Sequence, residues 1–188
     1  KMIFQNPDNQ FVAPIVRDDI IFSLESNGYP PEKMDHLIDE IANKFNINDL
    51  LNKQVYELSG GEKQKVAIAS VIALNPNIII LDEATSMLDL ESKKNILKIV
   101  EKLNKEKITI IHITHDLKDA FLADNVILLK KGKIIFSGNK NNFFKLDFNK
   151  YSLKEPEIIK FQKLNQINEN FIFNEDQLIK LMEKKNES

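Results

Sequence analysis

Two short apolar runs flanking one long amphipathic stretch constrain this chain more than any other feature. Ile78-Ile79-Ile80-Leu81 and Ile108–Ile113 are short and rich in β-branched residues, as strands are. Between them, Leu90–Lys105 places Leu90, Ile96, Leu97, Val100 and Leu103 at helical spacing, and Asp89 stands where a helix N-cap is needed. A strand, a helix and a second strand form a βαβ unit, whose strands run parallel. Both runs are apolar on both faces, which predicts parallel strands buried on both sides. The fold class is therefore α/β.

The rest of the chain is organised around that unit. Met2–Phe4 has the pattern of a strand end, and Gln5–Pro14 is polar and turn-rich. Residues 15–27 have mixed helical spacing. Pro31–Phe45 predicts a helix opened by proline, followed by a short helix near Asn48–Leu51. Lys63–Leu74 predicts an amphipathic helix stopped by Asn75-Pro76. After the βαβ unit, Asp116 can cap a helix reaching about Ala123. Val126–Lys130 and Lys133–Phe136 then predict a β-hairpin about Lys131-Gly132, a pattern ended by Gly138. Residues 139–188 predict a mainly helical extension, with helices near Glu155–Gln166 and Glu175–Lys184.

Composition excludes several classes. The 26 basic and 28 acidic residues among 188 nearly cancel, which argues against nucleic-acid binding through bulk positive charge. The absence of cysteine excludes disulfides and thiolate zinc sites. No apolar run approaches the roughly 18–20 residues of a membrane helix, so a membrane role would be peripheral.

In open α/β sheets, ligands bind beyond the carboxyl ends of the strands. Asp82-Glu83 and His115 sit at those ends. An aspartate there can hold Mg²⁺, an adjacent glutamate can deprotonate an attacking water, and a histidine can hydrogen-bond a phosphoryl oxygen. Taken singly, the carboxylates could merely cap a turn and the histidine could be an ordinary loop residue; together they favour phosphate chemistry. Ser59-Gly60-Gly61-Glu62 reads as a capping box, Ser-x-x-Glu. Two consecutive glycines are not needed for that box. They would let backbone N–H groups face an anion at a helix N-terminus, or serve as a hinge.

Five strings carry a family resemblance. Leu58-Ser59-Gly60-Gly61-Glu62-Lys63-Gln64 resembles the signature motif of ATP-binding-cassette (ABC) ATPases, and Ile78–Glu83 their Walker B strand. Ser86-Met87-Leu88-Asp89 resembles their D-loop, Ile113–Asp116 their switch-histidine loop, and Phe4-Gln5-Asn6-Pro7 their Q-loop. Order and spacing fit over about residues 1–138. Gln5–Phe11 and Glu83–Asp89 are similar, more narrowly, to ATPase subunits of the first type in energy-coupling factor (ECF) transporters, bacterial importers of vitamins and some metal ions.

The resemblance implies a P-loop NTPase-like ABC fold, incomplete at its N-terminus, over residues 1–138. A helical subdomain would occupy about residues 12–72 and a short extension 139–188. It implies ATP and Mg²⁺ as ligands. Glu83 would be the general base, with His115 and Gln5 as its catalytic companions. Asp82 and Gln5 would serve the metal. Ser59, Gly60, Gly61 and Glu62 would bind nucleotide held by the opposite subunit, with Asp89 at the interface. The implied partners are a second ABC ATPase subunit in a heterodimer, an integral membrane transport component and a substrate-binding membrane component. The implied location is peripheral, on the cytoplasmic side of the cell membrane.

The family's Gly-x-x-x-x-Gly-Lys-Ser/Thr loop is not among these 188 residues, whose five glycines are Gly28, Gly60, Gly61, Gly132 and Gly138. Together with a start at Lys1, this leads to the expectation of a fragment that is inactive alone. The alternatives are a non-catalytic partner that supplies the signature motif in trans, or the ATPase of another bacterial importer.

Overall fold

The structure, a computed structural model, describes residues 1–167 and 170–186, and it divides into two compact units, Lys1–Thr114 and His115–Ser188. In the first unit, β1 (Met2–Ile3), β2 (Ile78–Asp82) and β3 (Thr109–Ile113) form a parallel sheet with β2 in the centre. Helices α1 (Val16–Glu25), α2 (Pro31–Phe45), α3 (Gly60–Ala73) and α4 (Leu90–Lys105) complete the unit, with α4 joining β2 to β3. The α/β class and the βαβ unit are as the sequence predicts.

One face of the sheet is buried and the other is not. Ile3, Ile79 and Leu81 lie in a core shared with Val16, Ile20 and Leu24 of α1, Ile38 and Ile41 of α2, Val66 and Ile68 of α3, and Ile96 and Val100 of α4. The alternate residues point away from it. Ile78 remains 49% exposed, Ile111 48% and Ile113 46%. The expectation of strands buried on both faces is thus corrected. An apolar run specifies a strand, but a second buried face also requires a second layer of elements.

Local chemistry explains the element ends. Asp89 caps α4 by accepting from the N–H groups of Glu91 and Ser92, both at 3.0 Å. Asn46, in left-handed conformation, ends α2. α3 starts at Gly60, earlier than the predicted Lys63, because Ser59 and Glu62 close the capping box: Ser59 N–H donates to Glu62 Oε2 at 2.8 Å and Glu62 N–H to Ser59 Oγ at 3.3 Å. The Ser59 backbone N–H is the main reason the Glu62 carboxyl is held below its usual range.

The second unit contains the hairpin β4 (Asn125–Lys130) and β5 (Lys133–Asn139), followed by α5 (Lys140–Phe144), α6 (Glu157–Leu164) and α7 (Glu175–Asn186). Its core is aromatic: Phe143, Phe144, Phe148 and Phe171 are buried, with Phe121, Phe136 and Phe173 packed on them. Neighbouring ring centroids are 5.0 Å apart for Phe143 and Phe144, a favourable edge-on pair. Two expectations are corrected. The predicted helix to Ala123 is a single 3₁₀ turn, Asp119–Leu122. Gly138 does not end the hairpin, since Val126 pairs with it. Within this unit Phe136 of the hairpin packs on Phe143, their ring centroids 5.6 Å apart. No helix among the described residues is long and apolar enough to cross a membrane.

The Asp19 carboxylate on α1 is buried and accepts from the N–H groups of Val12 and Ala13 at 2.7 and 3.2 Å. Burial pushes its carboxyl above the usual aspartate range, against the lowering effect of those two bonds. The folded state therefore binds this proton more tightly than the unfolded chain does. Its contribution to stability is greatest below the usual aspartate range and falls as pH rises to the folded-state value. In urea unfolding at stepped pH, Asp19→Asn is expected to lack this decline, so that the difference between variant and parent shifts in the variant's favour across that interval and is flat above it.

Gly61 meets the first turn of α4. A Cβ there would lie 2.3 Å from Ser92 Oγ and 2.8 Å from Ser92 Cβ, whereas at Gly60 it would meet only Leu88 at 3.9 Å. Gly61→Ala is expected to cost about 1–3 kcal/mol through overpacking. Gly60→Ala should change stability by less than about 1 kcal/mol. Denaturant titration of both variants separates the two glycines.

Candidate functional site

The first unit gathers the chemistry at one end of its sheet. Asp82 is the last residue of β2, half-buried, and pairs in register with Ile113. Glu83 follows at the strand's carboxyl end, and its backbone N–H donates to the Ile113 carbonyl at 2.9 Å. The ladder thus continues for one hydrogen bond beyond the strand. Glu83 adopts φ +49°, the left-handed region that non-glycine residues rarely occupy. Such strain is kept only where neighbouring bonds enforce it, and it concentrates at functional sites.

Gln5 stands two residues after β1, whose pairing with β2 brings it to the same end of the sheet. Its side-chain amide donates to Ser86 Oγ at 3.1 Å, across 81 positions in sequence. The following turn is a 3₁₀ helix, Pro7–Asn9, capped by Asn6, whose side chain accepts from the Asp8 N–H at 3.0 Å.

Helix α3 grips this segment from its own first turn. Lys63 Nζ pairs with Asp8 Oδ1 at 2.6 Å, and the fully buried Gln64 donates from Nε2 to the Phe4 carbonyl at 3.4 Å. The segment bearing Gln5 is therefore bonded both to the turn after β2 and to the helix that begins at Ser59. Ser59 and Gly60 are exposed at the N-terminus of this 14-residue helix, where the backbone dipole favours anions. Asp89, also exposed, lies at the start of α4, and bonds from Ser92 lower its carboxyl's pKa.

Gln5 and Glu83 are brought together through Ser86. Gly61, next to Ser59 and Gly60, meets Ser92 of the helix that Asp89 caps. His115 is the first residue of the second unit, exposed, two positions after β3 ends. The capping-box reading of Ser59–Glu62 is realised, and Gly60 stays exposed beside it. Sequence reasoning missed Ser86 as a bonding partner of Gln5, and Lys63, Gln64 and Asp8 as a clamp. Ser86 lies inside the Ser86–Asp89 string already singled out, and Lys63 and Gln64 inside Leu58–Gln64. Their partners could not be read there, because each is more than 50 residues away in sequence.

Residues 1–86 match the ABC transporter family. The chain is 49% identical over 147 residues to the energy-coupling factor transporter ATP-binding protein EcfA1 of Bacillus subtilis, a match covering 78% of this chain and 52% of that protein. It is 44% identical over 184 residues to the energy-coupling factor transporter ATP-binding protein EcfA of Malacoplasma penetrans, covering 95% of this chain and 64% of that one. The chain thus spans about half to two-thirds of the length of these relatives. Among solved structures, cbiO1 from Clostridium perfringens, described as part of the ABC transporter complex cbiONQ, is similar with a TM-score of 0.71 at 33% identity, covering 86% of this chain and 66% of that one. Strand-end carboxylates, a glycine-bearing helix start and a glutamine-bearing segment recur here in the order of the motifs, and residues 1–86 carry the sequence pattern of the ABC transporter family that these similar ATP-binding proteins share.

Proposed function

We propose that the complete protein is the ATP-hydrolysing, energy-coupling subunit of an ECF-type ABC importer for vitamins or metal ions. The observation that carries this reading is the bond from Gln5 to Ser86, which ties the glutamine loop to the turn following Asp82-Glu83. The names of the relatives, ATP-binding proteins of energy-coupling factor transporters, support the narrower assignment.

ATP binding goes with the family. The oxygen donors of Asp82 and Gln5 suit a hard cation such as Mg²⁺, which keeps several waters and needs one or two protein ligands. Bound there, Mg²⁺ would neutralise phosphate charge. Glu83 takes the proton of the attacking water, and its backbone is held at the strand end by the bond to Ile113. Ser59, Gly60, Gly61 and Glu62 present a helix N-terminus to nucleotide on the opposite subunit, with Asp89 at that interface. His115 contacts the γ-phosphate. Positioning and charge stabilisation, rather than covalent chemistry, carry phosphoryl transfer, and these residue types supply both.

The partners in this reading are a second ABC ATPase subunit forming a heterodimer, an integral membrane transport component and a substrate-binding membrane component. The location is the cytoplasmic face of the cell membrane.

The complete protein, purified with its membrane partners, is expected to show Mg²⁺-dependent ATP hydrolysis, and Glu83→Gln to lower kcat by about 10²–10⁴-fold. The 188-residue chain alone, without a Gly-x-x-x-x-Gly-Lys loop, is expected to show no turnover. Undiminished turnover in Glu83→Gln, or failure to recover an integral membrane protein with the complex, overturns the reading.

A further inference from the structure

We propose that Ser86 is a positioning residue that sets both the backbone of Glu83 and the orientation of the Gln5 amide, an inference that rests on the ATPase reading above. The argument starts from the left-handed conformation of Glu83. Both peptide units flanking its Cα are pinned. The N–H before it donates to Ile113 of β3 at 2.9 Å. The carbonyl after it accepts twice from one residue, from Ser86 N–H at 3.0 Å and from Ser86 Oγ at 2.8 Å. The Ser86 hydroxyl therefore adds a second bond at the one carbonyl whose direction defines the strained turn.

A serine hydroxyl has a single hydrogen and two lone pairs. A carbonyl oxygen can only accept, so the hydrogen is committed to Glu83. Toward Gln5 the hydroxyl can then only accept. This dictates which end of the Gln5 amide faces Ser86: the NH₂ group donates at 3.1 Å, and Oε1 is turned the other way. An amide oxygen is the end that can serve a cation, or accept a hydrogen bond from water. One hydroxyl thus couples the general base to the glutamine and presents the useful atom of each. Alanine at position 86 keeps the backbone N–H bond but removes the hydroxyl, freeing the amide to turn over and loosening the Glu83 carbonyl. Threonine keeps the hydroxyl.

The test is steady-state ATP hydrolysis by the complete protein in its transporter complex, comparing the parent with Ser86→Ala, Ser86→Thr, Gln5→Ala and the Gln5→Ala/Ser86→Ala double variant. Ser86 is exposed in a turn, so the variants are expected to fold. Ser86→Ala should lower kcat about tenfold with KM for ATP within about twofold, the size of one hydrogen bond lost from the transition state. Ser86→Thr should return kcat to within about twofold of the parent. In the Gln5→Ala background, Ser86→Ala should cost clearly less than in the parent, because part of its effect passes through Gln5. Parental kcat in Ser86→Ala, no recovery in Ser86→Thr, or full additivity with Gln5→Ala overturns the proposal while leaving the ATPase reading intact. A parent complex without turnover overturns both.

Discussion

The parallel ladder of β2 with β3 is the constraint on which the rest of the first unit depends. Its register sets Asp82 opposite Ile113 and lets the Glu83 N–H continue the ladder by one bond. Parallel strands need a crossover, and α4 provides it. The start of that crossover has to turn sharply away from the sheet. The left-handed Glu83, the Ser86 turn and the Asp89 cap together make that turn. Asp82 and Glu83 therefore sit where the chain must leave the sheet, and their placement follows from how the fold is connected.

Helix α3 is the second organiser. Its buried side joins the core through Val66, Ile68 and Ala69, while its first turn stays open at Gly60. Lys63 and Gln64 occupy the boundary between those two environments and bind the segment carrying Gln5. An exposed ion pair contributes little, but the Lys63 side chain is only 16% exposed, so its charge is less screened than that of an ordinary surface lysine. The helix that begins after Ser59 is thereby bonded at two points to the segment bearing Gln5. Gly61 adds a steric tie to α4, through its close approach to Ser92.

Much of this architecture was legible in the residues. Pro31–Phe45 and Leu90–Lys105 are helices with the predicted bounds, because a proline opens the first and Asp89 caps the second. The strands begin within a residue of expectation, and all but β5, which runs three residues further to Asn139, also end within a residue of it. The errors share one cause. Ile111 and Ile113 look buried by composition, yet burial depends on what covers the face. The stretch after Asp116 has a cap residue but only enough packing for a 3₁₀ turn.

By itself, the sequence determined what local chemistry controls: the alternation of strand and helix, the caps, the glycine pair beside a Ser-x-x-Glu box, and the order of acidic and histidine residues at strand ends. These follow from propensity, periodicity and short-range hydrogen bonding, which act over a few residues. Only the tertiary structure decided that Gln5 meets Ser86, that Lys63 meets Asp8, that Gly61 rather than Gly60 is sterically required, and that Glu83 is held in a strained conformation. Each of these depends on contacts between residues far apart in the chain or on backbone angles imposed by them. Such contacts exist only once the sheet has paired and the helices have packed upon it.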